Sequence, residues 1–453
     1  MIMTGIALII VFVVAIAAMI VLISKFKVHP FLTIMGISLL LALAAGLPLR
    51  QIPGIIGQGF SATFTSIGIV IVLGAFIGAV LEKTGAALKL ADIVIRLVGK
   101  KRPAMAVELM GWVVSIPVFC DSGFVILDPI RRALARRTAA SSVTLTICLS
   151  CGLYVAHVFI PPTPGPIAAA QTLGAGENLL LVMGIGGLCS IFPLVAGYFY
   201  ARRIGKKIVS ADVDGAPDAD VAYEDLLASY GRLPSGLASL APLVVPILLM
   251  ALSSVSAMAG WTGRLAEIAA FLGAPIIALA VGAILAICLL FSAGKKESFY
   301  TLTNDTLKTV GPILLVTAAG GVLGKVIASS DMVNFITEHA SVMQTLGIFF
   351  PFLLAAILKS AQGSSTVAIT TTAGIVAPML AVLGFVTPVQ VALVVMAIGA
   401  GAMTVSHAND SYFWVVTNFG GLSPSDGYRS HTMMTLVIGL AAIIQIFLLS
   451  LVL

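Results

Sequence analysis

Residues 157–170 read His-Val-Phe-Ile-Pro-Pro-Thr-Pro-Gly-Pro-Ile-Ala-Ala-Ala, and this stretch decides the fold. It lies between two long apolar runs, 138–156 and 178–200, and therefore at membrane depth if those runs are helices that cross a bilayer. Its four prolines lack a backbone N–H, so a regular helix cannot continue through them. Unwound backbone survives at membrane depth only where protein buries it or where it lines a wet cavity. A broken helix beside His157 therefore predicts a binding site.

The composition indicates an α-helical protein that crosses the membrane many times. Hydrophobic residues make up 59% of the 453 residues, charged residues make up 10%, and the mean hydropathy is +1.12. A soluble domain of this size needs more charge on its surface. The apolar runs last about 16 to 28 residues, which is enough for helices to cross ~30 Å of hydrocarbon. We read the first run, 5–24, as a retained helix, because a basic leading segment and a cleavage site are missing.

The charges, the cysteines and the motifs argue against several other classes. The net charge of +6 comes from lysines and arginines spread over many short loops, so no nucleic acid is expected as a partner. The five cysteines lie in apolar runs without metal-ligand spacing, which favours small buried residues and neither a metal nor a cofactor. No phosphate-binding loop marks an ATP-driven pump, and no nucleophile or metalloprotease motif marks an enzyme.

The segment 103–137 is predicted to be a re-entrant hairpin. Basic clusters flank its apolar part on both sides, so a simple span would place one cluster outside the cell. A hairpin that enters and leaves from the cytoplasm keeps both clusters inside, with its tip at 117–123. The second half contains a similar interrupted segment, 342–383, which we expect to enter from the periplasm with its tip at 359–366.

The same plan occurs twice, which predicts two inverted repeats, 1–200 and 236–453, joined by an acidic cytoplasmic linker at 201–235. The predicted fold class is an all-α polytopic membrane protein with about ten transmembrane helices plus two re-entrant hairpins, an architecture typical of secondary transporters. With the N-terminus outside, all but four of the 25 lysines and arginines lie on the cytoplasmic side or in its loops. The predicted spans are 5–24, 30–48, 66–82, 138–156, 178–200, 236–258, 265–292, 309–328, 388–403 and one closing helix.

Four predicted breaks, 117–123, 157–166, 359–366 and 404–411, bring polar side chains to membrane depth. Exposed helix N-termini suit a carboxylate, and hydroxyls and amides suit a polyhydroxylated body. Carboxylates and histidines that titrate there make a proton the natural coupling ion. The proton-coupling candidates are Asp121, Asp410, His157 and His407. The candidate substrate-binding residues are Asp121, Ser122, His157, Thr163, Gln362, Gly363, Ser364, Ser365, Thr366, Ser406, His407, Asn409 and Asp410.

Each of these residues also has a purely structural explanation. A serine or threonine in a membrane helix often bonds the backbone or a neighbouring helix, and a proline cluster can serve only as a kink. An unpaired carboxylate at membrane depth is costly, so Asp121 and Asp410 have the strongest functional case. Each could still be the structural partner of a buried histidine or of Lys359. For His157 and His407, a structural role and a binding or proton role stay equally open.

Four stretches resemble the gluconate permease (GntP) family over essentially the whole chain, in order and with matching spacing. They are Pro117-Val-Phe-Cys-Asp-Ser-Gly-Phe-Val-Ile-Leu, His157-Val-Phe-Ile-Pro-Pro-Thr-Pro-Gly-Pro, Ala361-Gln-Gly-Ser-Ser-Thr-Val-Ala and Ser406-His-Ala-Asn-Asp-Ser-Tyr-Phe-Trp. The resemblance implies an ion-transporter-superfamily fold with two re-entrant hairpins, and proton-coupled uptake of gluconate or a related compound into a bacterium. Members of the family also handle other sugar acids, glycerate and D-serine.

The chain departs from the pattern of gluconate carriers at two places. The first hairpin often reads Phe-Phe-Glu-Val-Gly where Cys120, Asp121 and Ser122 stand here, and the proline stretch often has a second histidine where Thr163 stands. These departures leave the transport class intact and leave the substrate within the family open.

The sequence therefore predicts a proton-coupled symporter of gluconate or a related small hydroxy acid, and not an enzyme, in the bacterial inner membrane. The alternative is a sodium-coupled carrier of a carboxylate or a hydroxy amino acid such as D-serine, because unwound carbonyls can also hold Na⁺. A channel would need a continuous polar pore, whereas the polar residues here cluster at four breaks. The expected partners are a small carboxylate, protons and the lipid bilayer, and the sequence allows a homodimer.

Overall fold

The fold is helical in every part that the structure describes. A computed structural model describes residues 6–98, 102–138, 140–211, 233–331, 346–407 and 410–453, and no β-strand occurs among them. The first half contains α1 (Ile6–Ser24), α2 (Pro30–Ala44), α3 (Ile52–Thr84), α4 (Ala86–Val98), α5 (Pro103–Val114), α6 (Cys120–Thr138), α7 (Ser142–Phe159), α8 (Pro164–Thr172), α9 (Leu179–Cys189) and α10 (Ile191–Ile204). The second half contains α11 (Gly236–Met258), α12 (Arg264–Gly273), α13 (Pro275–Ser292), α14 (Phe299–Ala328), α15 (Phe349–Gln362), α16 (Ser365–Val376), α17 (Pro388–Met403), α18 (Ser411–Phe419) and α19 (Met433–Ser450).

Two predicted segments fall partly outside this description. Most of the predicted acidic linker, 212–232, and the beginning of the second predicted hairpin, 342–345, belong to the residues that the structure does not describe. Beside the gap, Ser210 donates a hydrogen bond to the carbonyl oxygen of Gly420 at 2.6 Å, so this end of the linker is fastened to the second half.

Six helical stretches of the described chain are long and apolar enough to cross a membrane. A seventh is added if residues 68–84 of α3 and the helix α4, which meet at 77° at Gly85, count as one span. Several other apolar helices, including α2, α5, α15, α16 and α17, are only 10–17 residues long. The predicted number of ten spans and the inverted repeats stay predictions. The six long stretches are Ser142–Thr172, Gly176–Ile204, Gly236–Ser253, Pro275–Ser292, Lys296–Ala328 and Pro424–Ser450.

The proline stretch breaks a helix as predicted, but the break is shorter than 157–166. Helix α7 continues to Phe159, and only Ile160–Thr163 are non-helical before α8 begins at Pro164. Pro164 and Pro166 lie in the first turn of α8, where a missing N–H breaks no intrahelical bond and the fixed φ of proline suits the helix. The prolines therefore interrupt one helix and also start the next.

The other three breaks are also short. Residues 115–119 separate α5 from α6, so the predicted tip residues from Cys120 onward lie in the first turn of a helix. Gly363 and Ser364 separate α15 from α16, and the left-handed φ of Gly363, 84°, lets the chain reverse there. Between α17 and α18, the described residues 404–407 and 410 are non-helical.

Helices α7 and α17 form the centre of the core. All residues of α7 are buried, as are those of α17 from Val391 onward, and the two helices pack against each other. Gly152 on α7 lies against the backbone of Glu108 on α5, and Gly401 on α17 lies against the backbone of Phe352 on α15. A side chain at either glycine would displace backbone, so both glycines allow close helix packing. The long helices α3 and α14 pack along each other beside this core.

Candidate functional site

All four predicted breaks contribute residues to one cavity of about 280 Å³. The cavity is bounded by the beginning of α6, the end of α7, the turn between α15 and α16, and the beginning of α18. Its volume lies near the lower end of the range of about 300–1,000 Å³ that is usual for small-molecule sites. The lining residues are Phe119, Cys120, Asp121, Tyr154, His157, Gly363, Ser364, Ser365, Thr366, Asp410, Ser411 and Tyr412.

The N-termini of α6, α16 and α18 all lie at this cavity. At α16, the Ser364 side chain accepts a hydrogen bond from the Val367 N–H at 3.3 Å. The N–H groups of Ser365 and Thr366 have no carbonyl one turn earlier within the helix. Helix N-termini carry partial positive charge and bind anions readily. This end of the cavity therefore offers backbone donors to a carboxylate.

A buried ion pair closes one side of the cavity. The Lys359 ammonium lies 2.5 Å from Asp410 Oδ2, and these side chains are 1% and 7% exposed. Lys359 also donates to the Gly363 carbonyl oxygen at 2.5 Å and lies over the Tyr154 ring, 5.8 Å from its centroid. The remaining carboxylate oxygen of Asp410 accepts the Tyr412 N–H at 3.0 Å and so caps α18. Asp410 is thus a paired and fully bonded carboxylate, which was the structural alternative for this residue.

Asp121 has a different environment from Asp410. Its carboxylate accepts a hydrogen bond from the Ser411 hydroxyl at 3.0 Å, and the Cys120 thiol lies 3.6 Å away. Among the described residues, no lysine, arginine or histidine forms a salt bridge with it. Asp121 is half-buried at the N-terminus of α6, where the helix dipole favours a negative charge. Asp121 is therefore the carboxylate of this cavity that forms no ion pair with a described residue.

His157 lines the cavity from the last turn of α7. The residue is only 4% exposed, and its Nδ1 has no hydrogen-bond partner among the described residues. The Phe119 ring lies 5.9 Å from the imidazole, centroid to centroid, and covers it from the side of the first hairpin. A buried imidazole nitrogen without a partner is rare in folded proteins, because the lost hydrogen bond with water has to be replaced. His157 thus brings a buried imidazole, with one nitrogen that has no described partner, to the wall of the cavity.

A second histidine, His431, supports the site from behind and was not predicted. His431 is fully buried, with Nδ1 3.0 Å from the Ser150 hydroxyl and Nε2 3.1 Å from the Ser406 hydroxyl. Ser406 in turn donates to Asp410 Oδ2 at 2.5 Å, and its N–H donates to Thr435 at 2.9 Å. The network therefore connects α7 and the chain before α19 to the paired carboxylate.

The break after α17 also contains a strained backbone. Val405 adopts a left-handed φ of 58°. This conformation is costly for a β-branched side chain and has to be held by its surroundings. The neighbouring hydrogen bonds of Ser406 supply that support.

Seven predicted residues line the cavity, and four others lie elsewhere. Ser122 lines a different cavity, Thr163 donates to the Ile160 carbonyl oxygen at 2.7 Å, and Ser406 lies behind Asp410. His407 Nε2 lies 3.0 Å from the Ser360 carbonyl oxygen and is absent from the cavity wall. Asn409 lies outside the described residues, as does the side chain of Gln362. The predicted residues that meet are Asp121, His157, Gly363, Ser364, Ser365, Thr366 and Asp410.

Five lining residues were missed, although they lie close to predicted ones. Cys120 and Ser411 directly adjoin Asp121 and Asp410 in sequence. Tyr154 precedes His157 by three positions, which places both on the same face of α7. Tyr412 and Phe119 are aromatic residues next to the breaks, where they would ordinarily be assigned to the core.

No metal site is indicated in the described part of the chain. No group of three or more histidine, cysteine, aspartate or glutamate side chains converges there. Four of the five cysteines are buried, whereas Cys288 on α13 is exposed, contrary to the expectation that all five are buried.

The comparisons with known proteins agree on a transporter. A family model described as "GntP family permease" matches residues 6–452. The inner membrane permease YgbN of Escherichia coli is 34% identical, with 92% of this chain and 93% of that protein covered. A gluconate permease of Pseudomonas aeruginosa is 32% identical, with 97% of each chain covered. The YdaH transporter of Alcanivorax borkumensis has a similar structure, with a TM-score of 0.66 and 15% identity over 94% of this chain and 99% of that chain.

Proposed function

Because this chain belongs to the GntP family of permeases and is a multi-pass transporter of the inner membrane rather than an enzyme, we propose that it imports gluconate or a related small hydroxy acid together with protons. The observation that carries the proposal is the cavity at which three helix N-termini meet beside the unpaired His157. The comparisons give no support to a sodium-coupled carrier or to a D-serine carrier.

The carboxylate of the substrate binds at the beginning of α16 in this proposal. The free N–H groups of Ser365 and Thr366 are suitable donors, and each helix end contributes about 0.3–2 kcal/mol toward an anion. The hydroxyl groups of Ser364 and Thr366, together with the imidazole of His157, can bond the hydroxyl groups of the substrate. Micromolar to millimolar affinity needs about 4–8 kcal/mol, which several such contacts can supply without an arginine. A carrier benefits from this weak binding because it must also release its substrate.

Asp121 carries the proton in this proposal. Asp410 is occupied by Lys359, so its protonation would leave a buried ammonium without a counterion. Asp121 accepts hydrogen bonds from the Ser411 hydroxyl and the Cys120 thiol, so its protonation breaks no ion pair with a described residue. Asp121 and Ser365 line the same cavity, so protonation of the carboxylate would reduce its repulsion of an anionic substrate. This electrostatic relation couples proton and substrate binding.

The pattern of helix packing supports two repeats of the same plan. If α3, α5, α6, α7, α8 and α10 are exchanged for α14, α15, α16, α17, α18 and α19, most of the helix contacts are reproduced. Thus α5 packs on α7 as α15 does on α17, and α8 packs on α16 as α18 does on α6. Three pairs, α3 with α14, α7 with α17 and α10 with α19, exchange into themselves, as expected for helices near a two-fold axis. The predicted homodimer stays a prediction.

The two interrupted helix pairs, α5–α6 and α15–α16, are the re-entrant hairpins of this proposal. The test is the sidedness of single cysteines in a background without native cysteines. R102C before α5 and S141C after α6 should both react with an impermeant reagent only from the cytoplasm, and N178C should react only from outside. Labelling of R102C and S141C from opposite sides would make α5–α6 a complete span.

The transport proposal is tested by uptake into proteoliposomes. Labelled gluconate, other hydroxy acids and D-serine are offered while proton and sodium gradients are imposed separately. We expect accumulation of a hydroxy acid driven by the proton gradient, lost in D121N and retained in the control variant E267Q, because Glu267 is an exposed surface acid on α12. Accumulation driven only by sodium, or normal accumulation by D121N, would refute proton coupling through Asp121.

A further inference from the structure

A second cavity of about 490 Å³ lies at the opposite end of α16 from the proposed site. It is enclosed by the beginning of α3, the end of α8, the end of α14 and the residues that follow α16. It has no lining residue in common with the smaller cavity described above. Its lining residues are Gln58, Gly59, Ala62, Gln171, Thr172, Gly321, Gly324, Lys325, Ala328, Gly374, Ala377 and Pro378.

Lys325 is the single ionisable side chain among the described residues that line this cavity. The side chain is exposed, and no salt bridge to a described acid involves it. The other polar groups of the wall are the carboxamides of Gln58 and Gln171 and the hydroxyl of Thr172. An ammonium without a counterion beside neutral donors and acceptors fits a small anion that also has hydroxyl groups.

Glycines let three helices pack closely beside this cavity. A Cβ atom at Gly59 would lie 2.8 Å from the Gly321 carbonyl oxygen and 2.9 Å from the Lys325 Cβ atom. On the other side, Gly374 lies against the backbone of Gly320. The backbones of α3, α14 and α16 therefore approach closely beside Lys325, and the base of its side chain is held at the crossing of α3 with α14.

Helix α16 connects this cavity to the proposed substrate site. Its first residues, from Ser365, line the smaller cavity, and Gly374 lines the larger one, about 14 Å further along the helix at 1.5 Å per residue. Between them, Thr371 and Thr372 are buried, and their hydroxyl groups have no hydrogen-bond partner among the described residues. Unpaired buried hydroxyls are costly, so they suggest a segment that is polar for a reason other than packing.

The third large cavity differs from the Lys325 cavity in the charged residues of its wall. It measures about 510 Å³, shares Phe119 with the substrate site, and contains both acids and bases, Glu82 and Asp305 with Lys83 and Lys295. An anion would meet a purely positive wall at Lys325 and a mixed wall at this third cavity. The positive-inside distribution assigns the third cavity to the cytoplasm and the Lys325 cavity to the outside.

We propose that the cavity at Lys325 is an external capture site, in which the ammonium binds the carboxylate of a small hydroxy acid before the acid reaches the site at α16. This inference rests on the proposed function. It adds a second binding site for the same substrate class and explains why the external face keeps a lysine at the end of an apolar helix. A single partly hydrated charge of this kind changes affinity and its salt dependence more than it changes the maximal rate.

The test uses the charge selectivity of thiol labelling, which does not require transport. In a chain without native cysteines, A62C places a thiol in the cavity and N178C places one on the external surface. Each is labelled with an anionic and a cationic impermeant thiosulfonate of the same size. At each position we compare the labelling rate with the anionic reagent to the labelling rate with the cationic reagent. This ratio should be about two- to fivefold higher at A62C than at N178C, as expected for one hydrated charge. Adding K325Q should abolish this difference, and adding K325R should preserve it.

Protection by the substrate distinguishes capture from a mere local charge. Gluconate should slow the labelling of A62C, whereas an uncharged polyol should not, and K325Q should remove the protection. The experiment is repeated in zwitterionic and in anionic lipid vesicles. If anionic lipid slows the labelling and gluconate does not, the anion is a lipid headgroup and the proposal is overturned. Equal labelling ratios with and without Lys325 would also overturn it.

Uptake kinetics separate this inference from the proposed function. K325Q should raise the concentration for half-maximal uptake about two- to fivefold at low salt and little at high salt, because salt screens an exposed charge. The control is K308Q on the same helix, whose lysine is 79% exposed at the other end of α14. If the wild-type protein takes up no hydroxy acid while Lys325-dependent labelling persists, the proposed function fails and the anion site stands. If uptake is normal in K325Q at low salt, the capture role fails and the proposed function stands.

Discussion

Replacing Lys359 by methionine tests whether the buried ion pair with Asp410 holds the site together. In the single variant K359M, the carboxylate keeps two donors, the Ser406 hydroxyl and the Tyr412 N–H, but loses its counterion. Breaking one side of a buried pair typically costs about 3–5 kcal/mol, because the remaining charge is left in a poor solvent. D410N removes the counterion of the Lys359 ammonium and leaves it with neutral partners, the Gly363 carbonyl oxygen, the Tyr154 ring and the new carboxamide, so a similar cost is expected.

The double variant K359M/D410N removes both charges and should recover most of the stability that each single variant loses. Replacing a whole buried pair by neutral groups is often close to neutral, so we expect the double variant to lie within about 1–2 kcal/mol of the wild type. The two single costs are then strongly non-additive, which a double-mutant cycle measures directly. The matched control is the Asp305–Lys308 pair, whose side chains are 61% and 79% exposed. Its single variants, D305N and K308M, should each cost less than about 1 kcal/mol.

Thermal unfolding of the purified protein in detergent provides the assay. A cost of about 3–5 kcal/mol corresponds to a fall of roughly 6–20 °C in the midpoint, since larger chains shift by about 2–4 °C per kcal/mol. The importance of the pair would be refuted if the stability costs of K359M and D410N added up in the double variant. It would also be refuted if each single variant were as stable as the variants of the exposed control pair. If the folded double variant accumulates substrate normally, Asp410 has only a structural role. If it is folded and inactive, the ion pair takes part in transport itself.

The remaining predictions concern the first hairpin and the cavity wall. D128N should destabilise the protein by about 3 kcal/mol or more, because the fully buried Arg131 would lose the carboxylate that lies 2.6 Å away. The control, measured by the same unfolding assay, is D92N on α4, whose carboxylate is 28% exposed and also lies within one helix turn of its basic partners. H157A should raise the half-saturating substrate concentration by about tenfold, the equivalent of 1.4 kcal/mol, whereas H407A, outside the cavity wall, should raise it less. Equal effects of H157A and H407A on uptake would contradict this assignment.

Sequence reasoning locates the breaks because the cause of a break is local. Pro161 and Pro162 cannot donate backbone hydrogen bonds, and Gly363 can adopt the left-handed φ that ends α15. These properties belong to the residue types themselves, so the interruption after α7 and the one after α15 are visible without a structure. The exact limits are less visible, because Pro164 and Pro166 can equally well begin a helix.

The direction of a side chain at a break depends on whether the residue is helical. The prediction treats Asp121 and Ser122 as neighbours in an unwound tip that face one cavity. In the structure both belong to the first turn of α6, where successive side chains point about 100° apart. Asp121 therefore lines the substrate cavity, and Ser122 lines the third cavity, the one that also contains Glu82.

The sequence does not reveal which residues pair with each other when they are far apart in the chain. Lys359 and Asp410 are separated by 51 positions, and the contact between Ser150 and His431 spans 281 positions. No local pattern distinguishes a histidine such as His431, which sits behind the site, from His157, which lines the cavity. Only the packing of α7 and α17 against α18 and α19 decides which of the two can reach a ligand.

The two halves have similar helix packing, but their acidic cavity residues occupy different positions in the shared plan. In the hairpins, the second helical residue is Asp121 in α6 and Thr366 in α16. In the broken helices, the residue that caps the second helix is Thr163 before α8 and Asp410 before α18. Each half thus supplies one carboxylate, but at positions that the exchange of the halves does not relate. Among the described residues only Asp410 forms an ion pair with a lysine, so a nearly symmetric frame brings one paired and one unpaired carboxylate to the same cavity.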